Sequence, residues 1–186
     1  MARTVKGIHF APQHWTPKKG KRQGRPIGDE ANREDGIPIN GKTTQGKEAI
    51  RAQLREEWGE IHHPTVDELV NMVLSLADEH GWENIVLWKL DLAGAFNLIR
   101  FHTDSIRLLA FALTEELTAI HITGMFGWTG TPYAFQVVTR VLSALVKQAI
   151  SGKCRWYVDD GMGVSHDRDQ DSDVALAMRI IRALPV

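Results

Sequence analysis

The chain has 186 residues, 43% apolar and 24% charged, with a formal net charge of −1. That composition fits one globular domain with enough chain for a sizeable core, and it excludes a global basic field: any nucleic-acid contact has to be a local patch. The single Cys154 excludes an internal disulfide, and no apolar run approaches the length of a membrane span. The basic N-terminus lacks the apolar core of a secretory signal, so the expected compartment is intracellular, cytoplasmic or nuclear. Residues 1–46 are rich in Gly, Pro, Lys and Arg and read as a basic, loosely ordered arm. Within it Lys18, Lys19, Lys21, Arg22 and Arg25 crowd together, which suits phosphate contact, although a solvated loop or a localisation tract has the same composition.

Residues 47–81 carry two amphipathic helices. Lys47 to Trp58 has Ala49, Ile50, Leu54 and Trp58 at helical spacing; Thr65 to His80 has Val66, Leu69, Val70, Val73, Leu74 and Ala77. Thr65 and Glu68 form a capping box, and Gly81 supplies the stop. His62 and His63 have no partner at metal-ligand spacing and read as plain loop. From residue 82 onward, Val86 to Leu92 is a strand interrupted by Asp91. Leu109 to Leu113 and Leu117 to Thr123 face each other across Glu115-Glu116. Gly124 to Pro132 is a glycine-punctuated loop, and Pro132 opens a helix to about Ile150 with Phe135, Val138, Val141, Leu142, Leu145 and Val146 inward. Arg155 to Ser165 reads as a hairpin with Asp159-Asp160-Gly161 at its turn, since Asp-Gly tolerates the positive φ of a tight turn. Ser172 to Leu184 closes the chain as a helix with Val174, Met178, Ile181 and Leu184 inward. The apolar strand runs are expected to form one antiparallel sheet backed by the helices at 65–80, 132–150 and 172–184, an α+β fold.

A hairpin needs one turn aspartate, not two carboxylates side by side. Adjacent acids repel, and a divalent cation between them and a third oxygen ligand relieves that repulsion. Asp91 supplies the third acid: a carboxylate at the end of a buried strand is costly unless it is paired or metal-bound. Asp91, Asp159 and Asp160 together form a set able to hold two Mg²⁺ and clamp the attacking and leaving oxygens of a phosphoryl transfer. The plainer readings are a helix N-cap for Asp91 and an ordinary acidic turn for the pair.

Three motifs stand in order: D-x-x-x-A-F (Asp91 to Phe96), F-G-W-T-G-T-P-Y-A-F-Q (Phe126 to Gln136) and Y-V-D-D (Tyr157 to Asp160). Their order and separations resemble palm motifs A, B and C of reverse transcriptases, the RNA-directed DNA polymerases of retrotransposons and retroviruses. The resemblance implies a polymerase palm, a ferredoxin-like antiparallel sheet backed by helices, over residues 82–186. Fingers and palm helices would occupy 47–81, and a fingers hairpin would lie in 1–46. It implies that Asp91 and Asp159 bridge two Mg²⁺ (Mn²⁺ as a substitute), with Asp160 supporting and the Leu92 carbonyl a further ligand. Arg25, with Lys18 or Lys19, would hold the incoming triphosphate in an R-x-x-x-D pattern ending at Asp29. Phe96 would pack under the sugar and exclude a 2′-hydroxyl. Phe126, Gly127 and Trp128 would wall the nucleotide, with Gly130, Pro132 and Tyr157 toward template and primer. The implied partners are an RNA or DNA template with its primer and deoxynucleoside triphosphates, with no membrane. A thumb and a ribonuclease H domain, for which these residues hold no counterpart, would come from a longer polyprotein. Phe126 departs from the family, where Gln commonly precedes Gly-Trp, so an amide contact gives way to an apolar wall. Three alternatives stay open: an inactive retroelement remnant that only binds nucleic acid, an RNA-directed RNA polymerase, disfavoured by Phe96 and by YVDD, and an unrelated Mg²⁺-dependent phosphohydrolase.

Overall fold

The computed structural model describes residues 8, 10–17, 19–20, 24–32 and 39–184; Lys18, Lys21 and Arg22 of the basic stretch lie outside them. In chain order the elements are β1 (Gln13–Pro17), β2 (Gly24–Gly28), α1 (Thr44–Trp58), α2 (Val66–His80), β3 (Ile85–Asp91), the single turn α3 (Thr103–Ile106), β4 (Ala110–Ala112), β5 (Thr118–Ile120), α4 (Gly130–Ala149), β6 (Lys153–Tyr157), β7 (Asp160–His166) and α5 (Gln170–Ala183). The described residues form a mixed α/β structure with three antiparallel sheets, β1-β2, β3-β7-β6 and β4-β5, and the chain divides into two units, 1–60 with 96–134 and 61–95 with 135–186.

In the first unit β1 and β2 are a two-stranded ribbon in which Thr16 faces Arg25. Pro17 and Pro26 are tolerated there because each strand keeps an edge that needs no ladder bond. The Thr43 side chain caps α1 by accepting from the Gly46 N–H at 3.0 Å, so the helix starts three residues before the expected Lys47. The runs at 109–113 and 117–123 pair with each other and do not join the larger sheet, which corrects the expectation of one sheet. The physical reason is that the other edge of β4 is taken: Phe10 bridges Ala110 in parallel, and the Ala11 N–H donates to the Ala110 carbonyl at 2.9 Å. Phe10, Ala11, Leu109, Ala110 and Met125 are buried in this unit.

The second unit is built on β3-β7-β6. Strand alternation puts Trp88, Leu90, Cys154, Trp156, Gly161, Gly163 and Ser165 on one face, and Leu87, Lys89, Asp91, Arg155, Tyr157, Asp160, Met162 and Val164 on the other. The first face is buried. There Trp88 sits in register with Gly163 and Trp156 with Gly161, and a Cβ on either glycine would come within 2.1 and 2.7 Å of the ring beside it. These glycines make room for two indoles. Helix α5 docks on this face through a buried chain of bonds. Trp88 Nε1–H donates to Ser165 Oγ at 2.9 Å and Ser165 O–H to Asp173 Oδ2 at 2.6 Å; Asp173 also accepts the Ser151 and Gly152 N–H groups at 2.8 and 2.9 Å. Every oxygen of a fully buried carboxylate is thus occupied, which is the condition for burying it. Helix α2 covers the far end of the opposite face, where Met72 and Leu76 pack on Val164 with Leu69, Val73 and Ile85. Its capping box forms as expected, with Glu68 N–H to Thr65 Oγ1 at 3.2 Å and Thr65 N–H to Glu68 Oε2 at 2.8 Å.

The expected inward faces of three helices are met in part. In α2, Ala77 is buried as expected and Leu69 and Val73 pack on the core beside Met72 and Leu76, while Val66, Val70 and Leu74 are exposed. In α4, Phe135, Leu142 and Val146 are buried as expected, while Val141 and Leu145 join Val137 in an exposed row at i, i+4, i+8. In α5, Val174, Ile181 and Leu184 are half-buried, Met178 is exposed, and the buried positions are Asp173 and Ala177. An apolar stripe wider than the buried face leaves its outer row in solvent.

Candidate functional site

Asp91 ends β3 and Asp160 begins β7, and the register sets them directly opposite each other. Directly opposed residues hold their Cβ atoms about 5 Å apart. Tyr157 of β6 faces Asp160 from the other side, and the Leu92 N–H donates to the Asp159 carbonyl at 3.0 Å, carrying the pairing past the end of β3. All three aspartates therefore stand at one end of one sheet, the end that α2 leaves open. The Leu92 carbonyl accepts from the Ala95 N–H at 3.2 Å, which leaves it one lone pair.

The turn of this hairpin is Val158-Asp159, not Asp159-Asp160-Gly161 as expected. Asp160 and Gly161 are already paired in β7, and the space above Gly161 belongs to Trp156. The positive φ of the two-residue turn falls on Val158, at 53°. A turn of this kind ordinarily takes Gly at that position. A β-branched residue there is strained by about 1–3 kcal/mol, and such strain gathers at functional sites.

Lys89 is the charge partner of the cluster. Its Nζ lies 2.9 Å from Asp160 Oδ1. The hydrogen bond to Asp160 first, and then the charges of Asp160, Asp91 and Asp159, hold the ammonium above its ordinary pKa. Among the described residues no three His, Cys, Asp or Glu side chains are gathered into a metal-ligating group. The backbone thus brings the three acids to one strand end while their carboxylates do not converge on one point, and Asp160 is turned to Lys89. As donors the set still fits a hard divalent cation, being three carboxylates and a free carbonyl lone pair.

In the first unit the loop after Gly124 is laced to β2. The Gly28 N–H donates to the Phe126 carbonyl at 3.0 Å. Gly127 has φ 110°, and a Cβ on it would lie 2.0 Å from the Gly28 carbonyl, so no other residue fits. Asn40 brackets the same turn: its Nδ2–H donates to the Gly127 carbonyl, and its Oδ1 accepts from the Thr129 N–H at 2.8 Å. On this frame the Arg25 guanidinium lies over the Phe126 ring at 4.8 Å, and the Phe96 ring is 5.1 Å from Phe126 and tilted to it by 51°. The Trp128 ring lies against Gly130, where a Cβ would meet it at 2.3 Å, and tilts edge-on to Phe101 at 5.3 Å. Pro132 falls in the first turn of α4, and Lys19 in the β1-β2 connection. Asp29, the acid of the R-x-x-x-D pattern, accepts from Asn32 Nδ2 at 2.9 Å. That bond above all holds its pKa below the usual carboxylate range.

No family model matches the chain. Over 74 residues it is 34% identical to the Gag-Pol polyprotein of feline leukemia virus, a match covering 40% of this chain and 4% of that polyprotein. No described helix is long and apolar enough to cross a membrane.

Three residues escaped the sequence reading. Lys89 could have been found, since alternation places it on the face of Asp91 two positions on. His63, read as plain loop, has its ring centroid 4.5 Å from that of Tyr157. Asn40 gave no signal: its partners lie 87 and 89 positions away.

Proposed function

We propose that the chain is the palm, with part of the fingers, of a reverse transcriptase from a retroelement. It would transfer a deoxynucleotide from its triphosphate to a primer 3′-hydroxyl on an RNA or DNA template. The observation that carries this reading is the register setting Asp91 opposite Asp160, with Asp159 in the adjoining β6–β7 turn. It gives separated sequence motifs a common strand end. The partial likeness to a retroviral Gag-Pol polyprotein agrees with a retroelement origin.

In this reading Asp91, Asp159 and Asp160, with the Leu92 carbonyl, would be the residues that hold Mg²⁺. Bound there, the ions would lower the pKa of the attacking hydroxyl and neutralise the leaving pyrophosphate. The chain's own residues orient and select. Arg25, with Lys19 or Lys18, pairs with triphosphate oxygens in the forked geometry that suits a guanidinium. Phe96 fills the space a 2′-hydroxyl would need, which sets this reading above an RNA-directed RNA polymerase. Phe126, backed by Phe96 and capped by Arg25, offers a stacking wall where the family has an amide, with Gly127 and Trp128 beside it. Gly130, Pro132 and Tyr157 face template and primer.

One observation favours a second reading, a remnant that binds nucleic acid without catalysis: the carboxylates do not converge, and Asp160 is bound to Lys89. Equilibrium binding of a deoxynucleoside triphosphate to the full chain, followed by tryptophan fluorescence, separates the two. The polymerase reading expects Mg²⁺-dependent binding that prefers the deoxy over the ribo form. Binding is lost in Asp159→Asn and weakened roughly tenfold in Arg25→Ala, the loss of one charge-assisted contact. Binding indifferent to Mg²⁺ and to Asp159→Asn would leave only the remnant.

A further inference from the structure

Lys89 stands on the exposed side of the edge strand Ile85–Asp91, where a lysine ordinarily points freely into water, yet here its ammonium is held. What holds it is Asp160, diagonally across the ladder: Lys89 pairs in register with Met162, one pleat repeat along from the Asp91–Asp160 pair. Lys89, Asp91 and Asp160 share one face, and the charges of Asp91 and Asp159 also act on the ammonium. The side chain is 61% exposed, on a strand with one neighbour among the described residues, so its four-carbon stem is free to swing. An exposed ion pair adds little to stability, so its effect has to be sought in the electrostatics of the acids.

From this we infer that Lys89 is a built-in counter-ion of the acid cluster, which holds Asp160 while no divalent cation is bound, has to be displaced when one binds, and so sets how much is needed. The inference rests on the proposed metal-binding role of the three aspartates. An ammonium and a divalent ion compete for the same carboxylate oxygens, and each raises the cost of the other. With Lys89 in place, the charge of Asp160 is balanced and the repulsion among the acids is reduced. Without it, the cluster carries one more net negative charge and draws a cation more strongly.

The test is calorimetric titration of the full chain with Mg²⁺, and with Mn²⁺ followed by electron paramagnetic resonance, in wild type, Lys89→Met, Lys89→Arg, Asp160→Asn and the Lys89→Met/Asp160→Asn double variant. Removing one unit charge a few Å from a divalent ion should tighten binding roughly tenfold at low salt, and the gain should shrink as salt rises. Lys89→Arg should keep the wild-type affinity, and the gain from Lys89→Met should be smaller in the Asp160→Asn background, where the contested carboxylate is gone and only the through-space charge effect remains. A lysine that merely solvates a strand edge would change none of these values. Equal, measurable affinity in wild type and Lys89→Met overturns the inference and leaves the metal reading standing. No binding of either ion by any variant overturns both. Should Lys89→Met fold poorly by circular dichroism, Lys89→Gln removes the charge while keeping a polar tip and is judged by the same outcomes.

Discussion

Val158 bears a conformation that most residues avoid, and it lies between Tyr157 and the paired acids. Replacing it with Gly would remove the steric cost of positive φ, offset by the greater freedom glycine has when unfolded. Val158→Gly should therefore raise stability by about 1 kcal/mol, read as a shift in the denaturant midpoint. A lower midpoint would mean that the valine side chain contributes more than its backbone loses. The same hairpin shows why composition misled the reading of its glycines. Asp160-Gly161 has the chemistry of a turn, yet Gly161 and Gly163 are fixed by the indoles of Trp156 and Trp88, and no local rule names those partners. Gly161→Ala should destabilise by about 1–3 kcal/mol through overpacking. His121 carries the pH dependence at this scale. Burial pushes its pKa down, and its Nε2 lies 2.7 Å from the Gln13 amide nitrogen. With the folded-state value depressed, the unfolded chain takes up the proton first as pH falls. Stability present above about pH 6.5 is thus lost on acidification through the folded-state value. A thermal midpoint that fell as pH dropped below 6.5 in wild type, and fell less in His121→Phe, would bear this out. Equal slopes in the two proteins would contradict it.

Among the elements, α5 depends most on one side chain. Asp173 joins the start of β6, Ser165 of β7 and, through that serine, Trp88 of β3. Asp173→Ala would orphan two backbone N–H groups and a hydroxyl next to the buried sheet face. It should cost about 3 kcal/mol, measured by chemical denaturation. A loss under about 0.5 kcal/mol, the size of an ordinary surface change, would show that water replaces the carboxylate without penalty. Helix existence and capping were legible because they are local. Thr65, Glu68 and Gly81 act within one turn of the helix they bound. In α4 the inward row Phe135-Leu142-Val146 was legible, but Val141 and Leu145 were counted with it, because spacing alone does not show how wide the buried face is. Nor was the isolation of β4-β5, which follows from Phe10 and Ala11 taking the free edge of β4 from a hundred residues away.

For the whole molecule, a net charge of −1 limits the contribution of long-range attraction to nucleic acid. Binding to a primer–template should be weak, and with only a few cationic contacts near Arg25 its fall with salt should be correspondingly shallow. The three acids could be picked out in the sequence because two carboxylates stand side by side at a hairpin turn that needs one, and a third ends an apolar run. What lay beyond it was their present arrangement, with Asp160 held by Lys89 and a strained valine at the turn. The central claim is that Asp91, Asp159 and Asp160 form one divalent-cation site. Calorimetric titration of Mg²⁺ into wild type and into Asp159→Asn, both shown to be folded by circular dichroism, tests it most directly. The account predicts saturable binding in wild type and affinity weaker by at least about tenfold in the variant. Equal affinity in the two proteins would contradict it.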